Sequence, residues 1–312
     1  MAVTLYPTNL DVLEPEELLD WAMKNAHPSD DDSMVAAAEK LRALANNRQF
    51  ILSSLRSELK LLADGRTCQQ TIPQAYMHGT RSAHDRFFAI RSCLWTPAPT
   101  GSERSRELHD RQFSYVTPHD HSFALLTIGY EGPGYVTEIY EYDNEHVMGV
   151  EDEAVEIRHL ETTQLSKGKV LYFRPRKDIH VQRHPEALSM SLNLIGEDAN
   201  IRNIPQYEFD LVRGRIKSLL TETLVHNQML PFQLVRLLGV DADVAGLLDD
   251  IALAHPSAHV RSMAYRVLIG AFEDDAERFA QRALLDAHPL VRHLARPVLV
   301  PDLALDFAAT AP

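Results

Sequence analysis

The stretch TPHDHSFALLTIGYEGPG, residues 117–134, opens an apolar run with two histidines one residue apart. In a β-strand, residues i and i+2 point to the same face, so His119 and His121 would aim both imidazoles at one point, about 6–7 Å apart along the chain. This is the geometry of a chelating pair. Because an HxH pair is also a common polar strand face, a metal site needs a third ligand from elsewhere in the chain.

Strand-like segments surround this stretch between residues 86 and 195. They are short, rich in aromatic or β-branched residues, and mostly separated by Pro, Gly, Asp or Asn. The segments are RFFAIRSCLW, FSYVT, SFALLTIGY, YVTEIYEYD, VEIRHLETTQL, KVLYFRP and ALSMSLNLI. Such a series predicts an antiparallel sandwich or barrel. The polar, Pro-bearing connection TPAPTGSERSRELHD predicts an exposed loop at the barrel mouth.

Helical patterns flank the strands. LEPEELLDWAMKNAH places Pro15 in an acidic first turn, and this helix is predicted to end near His27 and Pro28. From there to Gly65, apolar residues at helical spacing predict one amphipathic helix or two in tandem, packed against the next domain. After Asn193 the strands stop and helices return. We therefore expect three domains, at residues 1–66, 67–200 and 201–312.

Two stretches near the C-terminus echo each other. HPSAHVRSMAYRVL and HPLVRHLARPVL align with a spacing of 31 residues, which matches Val260-Arg261 with Val291-Arg292. This spacing suits helical-hairpin repeats, and the pattern resembles a HEAT-type repeat. The histidines of these stretches are therefore assigned to turns and helix caps rather than to a metal site: His255, His259, His288 and His293.

Composition limits the class of partner and the compartment. The net charge is -13, with 31 Lys and Arg against 44 Asp and Glu, which argues against nucleic-acid binding. Cys68 and Cys93 form no CxxC arrangement and are expected to be free, buried thiols in a reducing compartment. Neither a secretory leader nor an apolar run of membrane-spanning length is evident, so we expect a cytoplasmic protein with no membrane partner. A homodimer is left open.

The third histidine lies in LSKGKVLYFRPRKDIHVQRHPEALSMSLNLI, residues 165–195, where His180 falls between two predicted strands. With HDH as a first motif and Gly168 through Asn193 as a second, residues about 87–195 resemble a cupin domain. The resemblance implies an α+β protein with a central antiparallel β-barrel of the cupin (jelly-roll) type, carrying N-terminal helices and a C-terminal helical repeat domain. It covers about a third of the chain.

The identity of the metal follows partly from this resemblance. Cupins with three His and one Glu carry the Glu four or five residues after the second His, where this chain has Leu125 and Leu126. The pattern is closer to the cysteine-dioxygenase branch, whose iron is held by three histidines, and this implies Fe(II) bound by His119, His121 and His180. The same imidazoles also suit Zn²⁺ with one activated water, and the residues alone do not choose between the metals.

Other residues are alternative ligands or substrate contacts. His184 replaces His180 if the register of DIHVQRH is shifted. Asp178 either orients a ligand imidazole or converts the site to two His and one carboxylate. Glu138 is a further carboxylate candidate. Arg91 lies in an apolar strand and pairs either with a substrate carboxylate or with an internal acid. We assign Arg91 and Tyr172 as catalytic residues.

The predicted function is an Fe(II)-dependent oxygenase that oxidises a small amino-acid-like or thiol-bearing metabolite with O2. Cysteine dioxygenases carry a thioether-forming Cys just after the metal motif, whereas SFALLTIG has none, which puts cysteine itself in doubt. Two other functions are kept: a Zn or Mn cupin acting as isomerase or hydrolase, and a metal-binding regulatory or interaction module. Dinucleotide, P-loop, zincin and hydrolase-elbow motifs are missing from the sequence.

Overall fold

The computed structural model describes residues 3–66, 74–220 and 229–299. By spatial proximity the chain divides into two compact units, of which the second holds the C-terminal helices. The first unit comprises Met1–Asn144, Glu156–Ile201 and Glu208–Gly214, and the second comprises Glu145–Val155, Arg202–Tyr207 and Arg215–Pro312. The domain boundaries expected at residues 66 and 200 stay a prediction. Cys68 lies outside the described residues, and Cys93 is a buried free thiol.

Nine strands of the first unit form two antiparallel sheets. They are β1 (Val3–Leu5), β2 (Ala75–Ala83), β3 (Arg86–Trp95), β4 (Ala124–Glu131), β5 (Val136–Glu141), β6 (Arg158–Gln164), β7 (Val170–Phe173), β8 (Asp178–Gln182) and β9 (Ser189–Glu197). The larger sheet has the order β1-β7-β4-β9-β3-β2, and the smaller has the order β6-β5-β8. β3 coincides with the predicted segment RFFAIRSCLW.

The expected closed barrel is not formed, because a barrel needs a hydrogen-bond ladder that returns to its first strand. Among the described strands, β1 and β2 are the edges of the larger sheet, and β6 and β8 are the edges of the smaller. Apolar side chains from both sheets instead form a shared core, among them Trp95, Tyr135, Ile139 and Phe173. The first unit is thus a mixed structure with two antiparallel sheets.

Two predictions between β3 and β4 are wrong. The expected loop contains the helix Glu103–Phe113, and the Ser102 side chain caps it by accepting a hydrogen bond from the Ser105 N–H (3.2 Å). The expected strand FSYVT is replaced by the end of this helix, because Ser114 adopts a left-handed conformation (φ 53°) that stops both helix and strand.

The helices of the first unit are α1 (Pro15–Asn25), α2 (Asp31–Ala36), α3 (Ala38–Asn46), α4 (Arg48–Ala63), α5 (Glu103–Phe113) and α6 (Ala199–Arg202). The stretch predicted as one helix or two in tandem forms α2, α3 and α4. At the last break the Asn47 side chain accepts a hydrogen bond from the Gln49 N–H (3.1 Å) and so begins α4. Apolar residues of α1–α3 pack on the larger sheet, including Leu18, Met34 and Leu41. The α4 leucines are 41–54% exposed, so the predicted packing is wrong there: Leu52, Leu55, Leu59 and Leu62.

The second unit contains α7 (Leu230–Leu238), α8 (Ala242–Ala254), α9 (Ala258–Ala271), α10 (Ala276–Leu284) and α11 (Pro289–Leu299); β10 (Tyr207–Asp210) and β11 (Arg215–Leu219) precede these helices in the chain. The apolar faces of helices α7 to α11 form one core. Among the described helices, none combines the length and the apolarity needed to cross a bilayer.

The two echoed stretches start their helices in the same way. Arg261 Nη1 donates to the carbonyls six and five residues earlier (2.7 and 3.0 Å), and Arg292 Nη1 does so at the same two offsets (2.7 and 2.5 Å). Nδ1 of His255 accepts from the Ser257 N–H, as Nδ1 of His288 does from the Leu290 N–H. These two histidines therefore lie in helix-starting turns, while the HEAT-type repeat stays a prediction.

Candidate metal centre

His119 and His180 face each other because their backbones pair. His119 lies in an extended segment between α5 and β4, and it exchanges two backbone hydrogen bonds with His180 on β8 (N···O 3.2 and 2.9 Å). Residues directly opposite each other in an antiparallel pair project their side chains to the same face. His121, two residues beyond His119, joins them: the ring centroids of His121 and His180 are 4.8 Å apart.

The histidine pair precedes its strand rather than opening it, since β4 begins at Ala124. Tyr115 and His119 bridge to β8 of the smaller sheet, whereas β4 belongs to the larger sheet. The chain crosses between the sheets just after His121. The three imidazoles therefore lie where the two sheets meet, a placement that HxH periodicity alone does not contain.

The spacing of the imidazole nitrogens fits a shared ion. One nitrogen from each ring lies within 4.8 Å of the other two, and Nε2 of His119 is 3.2 Å from Nε2 of His180. Two nitrogens bound to one divalent ion at about 2.1 Å, with an angle of about 90–110° at the metal, are about 3.0–3.4 Å apart. The separation of 3.2 Å falls in that interval, so His119 and His180 fit two ligands of one divalent ion, and His121 lies near enough to be the third.

In His119 and His180 the second ring nitrogen, Nδ1, contacts a carbonyl oxygen or an amide group. Nδ1 of His119 is 2.9 Å from the Thr117 carbonyl, which only accepts, so Nδ1 carries the proton and Nε2 keeps its lone pair. The Gln182 amide lies 3.1 Å from Nδ1 of His180, and its oxygen has no hydrogen-bond partner among the described residues. Rotating the amide by 180° lets this oxygen accept from Nδ1–H, which leaves Nε2 of His180 available as a ligand.

Burial keeps these imidazoles neutral. It lowers the pKa of His119 and holds the pKa of His121 and of His180 well below the ordinary value. The positive charge of Arg91 acts in the same direction on all three pKa values. Metal binding requires an unprotonated nitrogen, so the cluster needs no costly deprotonation at neutral pH.

Arg91 lies beside the cluster. Its guanidinium is 5.8 Å from the ring of Phe123, which in turn stacks on His121 at 4.3 Å. Nε of Arg91 is buried and has no hydrogen-bond partner within the described ranges. The structure thus brings the predicted cation to the histidines, with one donor that the described residues leave available.

Tyr172 is not brought to the histidines. Successive residues of a strand point to opposite faces, and on β7 it is Phe173 that contacts His180, at 4.5 Å between ring centroids. Tyr172 belongs to the core under the N-terminal helices, where its hydroxyl donates to Asp31 Oδ1 (2.8 Å). This placement argues against a catalytic contact.

The alternative ligands are engaged elsewhere. Nε2 of His184 is 2.8 Å from Asp110, and Asp178 forms an ion pair with Arg174 (2.5 Å). Glu138 accepts a hydrogen bond from Tyr140 and pairs with Arg183 (2.6 Å). Bonding to Arg183 holds the pKa of the Glu138 carboxyl below its usual range.

Several residues near the cluster escaped the sequence analysis. Gln182 shares the face of His180 by the i, i+2 rule, which is a signal the sequence did contain. Asn193 and Thr127 are buried on neighbouring strands, where the Thr127 hydroxyl donates to Asn193 Oδ1 (2.6 Å) and the Asn193 amide contacts Cys93 Sγ (3.2 Å). No local pattern marks these polar core positions, because their partners come from other strands.

Comparison with known proteins gives only distant likenesses, and neither a family model nor a curated protein matches the chain. The structure is similar to salicylate 1,2-dioxygenase from Pseudaminobacter salicylatoxidans (10% identity, TM-score 0.24, 48% of this chain and 33% of that chain). It is also similar to procruciferin, an 11S globulin from Brassica napus (9% identity, TM-score 0.22, 60% of this chain and 32% of that chain). A third similar structure is vicilin from Solanum melongena (12% identity, TM-score 0.24, 44% of this chain and 31% of that chain). These are cupin-fold proteins.

The chain spans about a third of the length of the salicylate dioxygenase that it matches. At such TM-scores the likeness by itself decides neither the fold nor the activity. Strands β1–β9 of the first unit form two antiparallel sheets, and a buried group of three histidines lies where these two sheets meet.

Proposed function

We propose that this chain is a cupin-type, Fe(II)-dependent oxygenase in which His119, His121 and His180 bind the metal. It oxidises a small amino-acid-like or thiol-bearing metabolite with O2. The observation that supports this most directly is the convergence of three buried imidazoles, with one nitrogen of each ring within 4.8 Å of the other two. The weak structural likenesses carry none of the argument.

The donor set favours an anionic substrate. Three neutral imidazoles leave the charge of a divalent ion uncompensated and leave about three positions of an octahedron open. Bound Fe(II) would supply a Lewis-acidic, redox-active centre at which a chelating substrate and dioxygen meet. The backbone pairing of His119 with His180 fixes the ligands in advance, so the protein contributes orientation before substrate arrives.

Arg91 is the residue that we assign to substrate recognition. A buried donor without a partner costs about 1–3 kcal/mol, and a substrate carboxylate at Arg91 would remove that cost through a charge-assisted hydrogen bond. Phe123 stacks on His121 and Phe173 packs against His180, which covers the imidazoles with apolar surface. This surface limits the access of water to the ligands and strengthens the electrostatic interactions between site and substrate.

The proposal is tested on full-length protein purified without oxygen, by elemental analysis together with oxygen uptake over an amino-acid and thiol panel. We expect stoichiometric iron and substrate-dependent oxygen uptake in the wild type, and the loss of both in His121→Gln. The matched control is His159→Gln, which changes an exposed histidine on β6.

Two outcomes contradict the proposal. Metal content that is unchanged in His121→Gln excludes the three-histidine site. Zinc or manganese that depends on His121, together with turnover that needs no oxygen, excludes the oxygenase and indicates an isomerase or hydrolase instead.

A further inference from the structure

A second group of potential ligands lies outside the three-histidine centre. We call it the α5 cluster and define it as His109, Asp110 and His184. His109 and Asp110 lie on α5, and His184 follows β8. One ligand atom from each lies within 4.8 Å of the other two. Oδ1 of Asp110 is 2.8 Å from Nε2 of His184 and 3.7 Å from Nδ1 of His109.

Thr96 contacts both imidazoles of the α5 cluster through the ring nitrogens that do not face Asp110. Its hydroxyl is 2.9 Å from Nε2 of His109, and its carbonyl is 3.3 Å from Nδ1 of His184. Histidines that bind metals characteristically donate the remote ring N–H to such an oxygen, which turns the other nitrogen toward the ion. The arrangement therefore leaves Nδ1 of His109 and Nε2 of His184 directed at the same carboxylate.

Packing fixes the ring orientations. The rings of His109 and His184 are stacked at 5.5 Å, and His184 also packs on Tyr115 at 4.0 Å. A site whose ligands are already held by packing loses little conformational entropy when an ion binds.

A simple ion pair does not account for the whole cluster. A hydrogen bond between Nε2 of His184 and Asp110 explains the 2.8 Å contact. It leaves Nδ1 of His109 buried and without a hydrogen-bond partner among the described residues, because 3.7 Å to the carboxylate is too long for a hydrogen bond. A cation between the three groups satisfies all of them at once.

We propose that His109, Asp110 and His184 form a second metal site, which binds Zn²⁺ or a similar divalent ion with water at a further position. Two imidazoles and one carboxylate are a known donor set for such ions, and three protein ligands leave one tetrahedral position open. The side chains are 18–25% exposed, so the cluster lies near the protein surface. This proposal does not depend on iron at the three-histidine centre.

The test is titration of metal-free, full-length protein with Zn²⁺ by calorimetry and with Co²⁺ by visible absorption, in wild type and in His121→Gln. We expect one equivalent that survives His121→Gln and is weakened by about 100-fold or more in Asp110→Asn and in His184→Gln, since loss of a ligand costs at least as much as loss of its outer partner. His159→Gln is the control for adventitious binding to exposed histidines.

His109→Gln separates the metal site from the ion pair, because it keeps His184 and Asp110. A metal site loses affinity in this variant, and the cobalt spectrum changes. The proposal is overturned if the wild type binds no Zn²⁺ beyond what His121→Gln removes. It is equally overturned if the remaining equivalent keeps its affinity in His109→Gln and Asp110→Asn, each verified as folded by circular dichroism.

Discussion

His119 and His180 are 61 residues apart in the sequence, yet they exchange two backbone hydrogen bonds and place their Nε2 atoms 3.2 Å apart. The backbone pairing places both rings on the same face of the pair. A geometry that the sheet imposes exists before any ion binds, so groups that orient the rings are expected to affect metal affinity more than they affect folding.

Gln182→Leu tests this expectation, because it removes the amide beside Nδ1 of His180 and keeps a buried side chain of similar size. We expect the metal equivalent that depends on His121 to bind about 10–100-fold more weakly. Calorimetric titration of the metal-free protein measures it. Gln164→Leu, at an exposed position on β6, serves as the control. Equal affinity in wild type and Gln182→Leu would show that the amide does not orient the ligand.

Arg91→Met tests substrate recognition. Removal of a charge-assisted hydrogen bond costs about 1.5–3 kcal/mol, so we expect KM to rise about 10–100-fold while metal content stays constant. The measurement is steady-state oxygen uptake with the substrate that the panel identifies. The control is Arg81→Met, which removes a partly exposed partner of Asp20. An unchanged KM would reject the assignment of Arg91.

Tyr172→Phe distinguishes a structural from a catalytic tyrosine. The variant loses the hydrogen bond from the hydroxyl to Asp31 and should be destabilised by about 1–2 kcal/mol, with metal binding and turnover unchanged. Denaturant unfolding measures the first effect, and Tyr140→Phe, on a less buried strand, should show a smaller one. Loss of turnover at full stability would restore the catalytic assignment that the sequence suggested.

We expect His259 to make the stability of the chain depend on pH. Burial lowers the pKa of His259 to about 4, against 6.5 for the free side chain, and its Nε2 lies 3.0 Å from the Gly149 carbonyl. As pH falls below 6.5 the unfolded chain takes up this proton first. Stability is therefore complete above pH 6.5 and is lost progressively toward pH 4, by about 3 kcal/mol.

We expect His259→Gln to reduce this dependence, since glutamine does not titrate. Unfolding curves at pH 7 and pH 5 measure the difference, with His159→Gln as the control at an exposed site. A variant whose stability falls as steeply with pH as that of the wild type would show that other groups are responsible.

The local pattern of the sequence was sufficient for many elements. The richness of RFFAIRSCLW in aromatic and other apolar residues predicts β3 residue for residue, and the acidic turn around Pro15 predicts the start of α1. The HxH spacing likewise predicts that His119 and His121 lie on one face. These features depend on sterics and periodicity among near neighbours, which a single sequence displays directly.

Only the tertiary structure decided how the distant parts meet. His180 rather than His184 lies against His119, because β8 pairs with the extended segment before β4, while His184 is turned toward α5. The same applies to Tyr172, which points away from the histidines because the strand register assigns its face to the helical side. Register and sheet order result from contacts between residues far apart in the chain, and no local pattern encodes the partner of such a contact.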